Sequence, residues 1–171
     1  IDAAKGRPKS TAWFRNKIAE FGKPTAMDLL KDGKRNARPF YGNLNMFFYD
    51  PKFKKTLPYY DRFPLVLPIE RYSDGFLGIN LHYLPIPLRI GLLDELMDYS
   101  TDTNFDKKTK INVNYSRLKS VGLIKPTLKR YLAGHVKSMF RRVDADEFTV
   151  ATLLPVQRFT KANEKKVWSD S

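Results

Sequence analysis

Between Asn43 and Leu84 the apolar residues come in short continuous runs. Met46-Phe-Phe-Tyr49, Phe63 to Ile69 and Phe76 to Leu84 are rich in aromatic and branched side chains, which suit a pleated, half-buried surface better than a helix. Asp50-Pro51-Lys52 and Ser73-Asp74-Gly75 separate the runs. Asp bonds readily to its own backbone and Gly accepts positive φ, so both read as turns and three strands are predicted. Pro64 and Pro68 cannot donate ladder hydrogen bonds, which places the middle strand at an edge or at a sharp bend. The expectation is a small, strongly bent antiparallel sheet or SH3-like barrel over about residues 43–84.

Helical spacing appears on either side. Ser10 or Thr11 can cap a short helix carrying Trp13, Phe14 and Ile18, which Gly22 and Pro24 stop, and Ala26 to Leu30 give a further turn or two before Gly33. Leu88, Leu92, Leu96 and Tyr99 predict a helix over about Pro87–Tyr99. Ser100 to Lys110 reads as a polar connector, followed by Ile111 to Tyr115 and a short helical stretch ending near Gly122. Pro126, at a favoured first position, opens a predicted helix to about Arg142. On it Leu128, Leu132, Val136, Met139 and Phe140 share one side, and Arg130, Lys137 and Arg141 fall within about 40° of one another opposite. Gly134 lies on the basic side, where it would allow close approach of a backbone or a phosphate. Asp144 can cap a last helix over Asp146–Leu154, ended by Pro155. The resulting class is α+β: residues 1–42 a basic helical arm, 43–155 one core domain, and 156–171 an irregular tail in which Phe159, Val167 and Trp168 are candidate partner-docking anchors.

Composition narrows the function. The 171 residues contain 42% hydrophobic and 13% aromatic side chains, enough apolar surface to offset the entropy of ordering one domain. No apolar run approaches the roughly 20 residues needed to cross a bilayer. Ile1 to Ser10 carries Lys and Arg without a following apolar core, so no secretion signal is expected. Absent cysteine excludes disulfides, thiolate nucleophiles and Cys-based zinc sites.

Charge is uneven. The net charge of +13 divides into +6 over residues 1–39, −3 over 40–106, +11 over 107–142 and −1 over 143–171. Residues 107–142 hold 11 Lys or Arg and no carboxylate. Such a stretch repels itself unless a polyanion or acidic surface relieves it. Lys107, Lys108, Lys110, Lys125, Lys129, Arg130, Lys137, Arg141 and Arg142 are therefore the candidate nucleic-acid contacts, with a solvated basic face as the alternative. Tyr59 and Tyr60 beside Lys54, Lys55 and Arg62 also mix rings and cations as single-strand binding surfaces do, although sheet-packing tyrosines would look the same.

Catalytic chemistry is poorly supported. There is no phosphate-binding glycine loop of the G-x-x-x-x-G-K-[ST] type. His82 and His135 lack a neighbouring imidazole and read as packed or hydrogen-bonded residues. Asp50, Asp61, Glu70 and Asp74 are the carboxylates a metal-dependent nuclease would need, but three of the four sit at turns or strand ends, where Asp is commonly structural. A Ser or Thr nucleophile has no evident base. The expectation is a protein without catalysis or cofactor.

Met46-Phe-Phe-Tyr-Asp-Pro-Lys52, Leu57-Pro-Tyr-Tyr-Asp-Arg-Phe-Pro-Leu65, Gly75-Phe-Leu-Gly-Ile-Asn-Leu-His-Tyr-Leu-Pro85 and Lys125-Pro-Thr-Leu-Lys-Arg-Tyr131 carry a resemblance. Over most of residues 10–170 the chain resembles structural virion proteins of T-even-type contractile-tailed phages and cyanophages, of the DNA end protector kind. The resemblance implies a protein made in the host cytoplasm and carried in the virion, which acts by binding double-stranded DNA ends or packaged DNA, other virion proteins (portal, neck, tail or baseplate), or both. It implies no membrane and no small-molecule substrate. The alternative reading is a tail, baseplate or neck assembly protein that contacts only neighbouring protein subunits.

Overall fold

A computed structural model of the chain describes residues 34–98, 122, 124–144 and 148–171. The helices expected before residue 34, the connector with Lys107, Lys108 and Lys110, and the stretch from Ile111 to the turn near Gly122 lie outside the described residues.

Eight strands are described: β1 (Arg35–Asn36), β2 (Leu44–Met46), β3 (Tyr60–Asp61), β4 (Leu65–Tyr72), β5 (Gly75–Asn80), β6 (Leu128–Leu132), β7 (Phe140–Val143) and β8 (Phe159–Thr160). Six form one antiparallel sheet in the order β1-β7-β2-β4-β5-β6, while β3 and β8 pair separately. Three α-helices accompany them: α1 (Ile86–Asp98), α2 (Phe148–Leu153) and α3 (Glu164–Ser169). The fold is α+β, as expected. The sheet is open rather than a closed barrel, because β1 and β6 end it without pairing to each other.

Alternation along β4 shows why these residues form a sheet. Leu65 and Leu67 enter one apolar cluster with Ile79, Leu92, Leu96 and Phe148, under α1 and α2. Val66 points the other way, into a cluster of Phe47, Tyr49, Phe76, Tyr131 and Phe140. The rings of the second cluster pack mostly edge to face: Phe47 lies 5.3 Å from Tyr131 at 80° and Phe47 6.0 Å from Phe76 at 65°, geometries that favour the aromatic quadrupole. A Cβ at Gly78 would collide with Val66, and one at Gly75 with the Tyr131 carbonyl, so both glycines are needed for the close approach of neighbouring strands.

β4 is central, not an edge strand. Its pairing with β2 stops at Val66, however, and its pairing with β5 shifts register between Pro68 and Glu70. Pro68 thus sits where β2 no longer accompanies the strand and the ladder is interrupted, which is how the sheet tolerates the missing N–H.

The largest departure from expectation is the basic helix. Lys125–Thr127 form a 3-10 turn, Leu128–Leu132 form β6, Ala133–His135 a second 3-10 turn and Phe140–Val143 form β7. β6 pairs with β5 across five consecutive positions, from Gly75 opposite Leu132 to Ile79 opposite Leu128. The segment between β6 and β7 is tied to the chain after β2: Lys137 N donates to the Phe48 carbonyl and Asp50 N to the His135 carbonyl, and Phe48 N donates to Ser138 Oγ. Long-range pairing overrides the local helical pattern. A Cβ at Gly134 would meet nothing within 4 Å, so the close approach expected there is absent among the described residues.

Residues 156–171 also differ from an irregular tail. They form β8, which pairs with β3, and α3, capped by Asn163 through its acceptance of the Lys166 N–H. Val167 is fully buried, Trp168 Nε1 donates to the His82 carbonyl at 3.0 Å, and the Phe159 ring meets Tyr83 edge-on at 5.3 Å. The three expected docking anchors are thus engaged with their own chain.

Candidate nucleic-acid interface

The loop after β2 and the edge strand β6 enclose a groove of about 450 Å³. Its aromatic walls include Phe53, Tyr59, Tyr60 and Tyr83, and its cations are Lys52, Lys129 and Arg130. Pairing fixes the β6 residues: Lys129 stands opposite Gly78 and Arg130 opposite Leu77. The Lys129 Nζ lies 4.0 Å from the centre of the Tyr83 ring, a cation–π geometry. Burial lowers the Lys129 pKa, and among the described residues no carboxylate comes within ion-pair reach of it. Arg130 differs, because its guanidinium bonds to Asp74 and lies over the Tyr72 ring at 3.9 Å. Lys52 Nζ is 5.4 Å from the centre of the Phe53 ring, and Phe53 is 61% exposed.

A second cationic group adjoins this groove. Asp50 bonds to Lys54 through both carboxylate oxygens, at 2.8 and 3.1 Å. That bond, with Lys137 and Arg62 nearby, holds the Asp50 carboxyl below its ordinary value. One carboxylate therefore serves three cations. Lys161 closes the far side of the loop by donating to the carbonyls of Lys55 and Leu57, both at 2.9 Å; it takes φ of 73°, the left-handed region that costs a side chain energy.

Beneath the groove lies a buried polar cluster. Asp61 accepts from the backbone N–H of Phe63 and of Arg158, each at 3.0 Å, and meets His82 Nδ1 at 2.8 Å. Burial pushes the Asp61 carboxyl up, but these donors outweigh it and hold it below its usual value. Burial likewise holds His82 below its ordinary value against the pull of Asp61. Nδ1 is the nitrogen that faces the Asp61 carboxylate, and Nε2 has no hydrogen-bond partner among the described residues. Arg89 is fully buried and donates to the Leu84 carbonyl at 2.7 Å and Gln157 Oε1 at 3.0 Å. Burial pulls its pKa to about 10, so it stays charged near neutrality. Asn80 links the cluster to the groove wall by donating to the Tyr131 hydroxyl at 3.0 Å.

The expected contacts are therefore dispersed. Lys129 and Arg130 line the groove, Lys137 joins the group around Asp50, and Lys125 is exposed at the turn before β6. Arg141 is buried in β7 at 5% exposure, and Arg142 pairs with Asp144. Arg130, Lys137 and Arg141 do not form one row. The four carboxylates weighed for a nuclease are also separate: Asp50 meets Lys54, Asp61 meets His82, Asp74 meets Arg130, and Glu70 accepts from the Tyr72 hydroxyl. Among the described residues no three His, Asp or Glu side chains converge as a metal site would require. Tyr59 and Tyr60 do reach the groove, while the contributions of Lys52, Phe53 and Tyr83 go beyond the sequence reading. An aromatic flanked by lysines in a turn, Lys52-Phe53-Lys54-Lys55, was the available signal for two of them.

Fold and site together define an α+β domain with a cationic, aromatic groove at one sheet edge. The family described as phage T4 terminal DNA protecting protein matches residues 2–171, and the chain belongs to that family. No curated protein and no solved structure matches the chain.

Proposed function

We propose that the protein binds the ends of phage DNA and shields them by occupancy, as a virion component that performs no catalysis. One observation carries the reading: Lys52, Lys129 and Arg130 line the groove and Lys54, Arg62 and Lys137 adjoin it around Asp50, six cations of which only Arg130 and the group at Asp50 have a carboxylate close by, Asp74 and Asp50 respectively. Phosphate contacts of this kind release counterions and are indifferent to base sequence, so affinity falls as salt rises. Membership of a family described by terminal DNA protection makes a DNA end the natural ligand. The structure supports a different geometry from the basic helix of the sequence reading: the cations come from a loop and a strand edge.

The test is protection of linear duplex DNA from a processive exonuclease by the purified full chain. The expected result is protection at low salt that fades at high salt and is weakened by Lys52→Glu with Lys129→Glu. Degradation at the unprotected rate, at protein concentrations far above those of the ends, would overturn the proposal.

A further inference from the structure

We infer that the groove between the loop after β2 and strand β6 is a pocket for one unpaired nucleotide at a DNA terminus. This rests on the end-binding reading and adds to it a preference among ends. A volume of about 450 Å³ falls within the range of small-ligand pockets and suits a base with its sugar and phosphate. It is too small for the width of a duplex.

Three features select that occupant. The walls present ring faces and edges from Phe53, Tyr59, Tyr60 and Tyr83, and stacking on such rings suits any base because every base has a π face. Phe53 is left 61% exposed while the other groove-lining rings are half-buried or buried, so it is free to close over a planar group. Lys129 brings an ammonium into these rings without a carboxylate partner among the described residues, its Nζ 4.0 Å from the centre of the Tyr83 ring. Taking a cation partly out of water without an anion is unfavourable, and a phosphate arriving with the base supplies the missing negative charge. An acidic peptide would satisfy the lysine but leave the ring walls unused.

Selectivity for ends follows from the chemistry of DNA. Within a duplex every base is stacked and paired, and extruding one costs a few kcal/mol. An overhanging or frayed terminal nucleotide is already unpaired. The rim cations then meet phosphates further along the strand.

The experiment compares a blunt duplex, the same duplex with two unpaired nucleotides at its 5′ or 3′ end, and a closed circle of that sequence. The terminal unpaired base is 2-aminopurine, whose fluorescence reports stacking. The full chain is expected to bind one of the overhanging ends roughly tenfold more tightly than the blunt one, with a fluorescence change, and the responsive arm identifies the strand polarity. Phe53→Ala should abolish the preference; its exposure means the fold survives, which circular dichroism checks. Equal binding of blunt and overhanging ends with silent 2-aminopurine would overturn the pocket while leaving end binding in place. Binding of all forms including the circle with equal affinity, or of none, would overturn both readings.

Discussion

Two sets of charged groups adjoin at Tyr83, and the protein treats them in opposite ways. Inward lie Asp61, His82 and Arg89, all essentially without solvent contact. The Asp61 carboxylate is met by two backbone N–H groups and an imidazole, and the Arg89 guanidinium by carbonyl oxygens and Gln157. Outward lie Lys52 and Lys129, against rings and without carboxylates among the described residues. A charge removed from water is tolerated only when its hydrogen bonds are satisfied, since an unpaired buried ion costs several kcal/mol. Asp61 and Arg89 meet that condition within the chain, and with His82 they join β3, the 3-10 turn after β5, α1 and the C-terminal segment. The outer set has no such partners: Lys129 is half-buried against a ring and Lys52 is exposed.

Asp61→Ala strikes the inner set hardest. It leaves two buried N–H groups and His82 without their acceptor, and a loss of about 3–5 kcal/mol is expected. A urea midpoint equal to that of the wild type would show the inner set to be dispensable. Next comes Lys129→Met, which keeps most of the stem's packing and removes the charge. DNA affinity is expected to fall roughly tenfold and the salt dependence to become shallower by about one, while stability holds or rises. A loss of stability with unchanged affinity would exchange the roles of the two sets.

Acid sharpens the same contrast. Burial holds His82 below the value it has in the unfolded chain, so as pH falls through the ordinary histidine range, near about 6.5, the unfolded state takes up a proton that the folded state refuses. Asp61 is also held low; its contribution is present above the unfolded carboxylate value of about 3.9 and is lost as pH falls through the lower folded value. Both act in one direction. Thermal stability should decline from pH 7 to 5, and His82→Gln should flatten that decline, as melting curves at several pH values would show. The smallest effect belongs to Asp74→Ala. An exposed ion pair contributes about 0–1 kcal/mol to stability, but its loss frees Arg130 and should raise DNA affinity a few-fold in equilibrium titrations.

Much of the sheet was legible in the sequence because its strands announce themselves. Leu65 to Ile69 and Phe76 to Ile79 carry the branched and aromatic residues a two-faced sheet needs. Leu92 and Leu96 mark α1, and both are fully buried. The stretch from Pro126 to Arg142 was misread for a definable reason. Leu128, Leu132, Val136 and Phe140 recur at intervals of four, which matches a helix stripe and also keeps one parity along a strand. Local spacing cannot separate the two; what decides is pairing with β5, fifty residues earlier in sequence. The same limit governs the site. Lys129 was found as a cation, but its position over Tyr83 depends on the register of β6 against β5, which no local window contains. The polar cluster under the groove was missed for a similar reason: Asp61 and His82 look like a turn residue and a strand residue, and His82 in fact lies in the 3-10 turn Leu81–Tyr83 that follows β5 and brings it to Asp61.

In the proposed function the cations of the groove face meet phosphates at a terminus rather than along a duplex. This is tested most directly by the affinity of the full chain for a linear duplex and for a covalently closed circle of the same sequence, titrated at one salt concentration. The linear form is expected to bind more tightly, at a stoichiometry of one protein or a fixed small number per end and independent of duplex length. Equal affinity for the circle, with stoichiometry that grows with length, would contradict it.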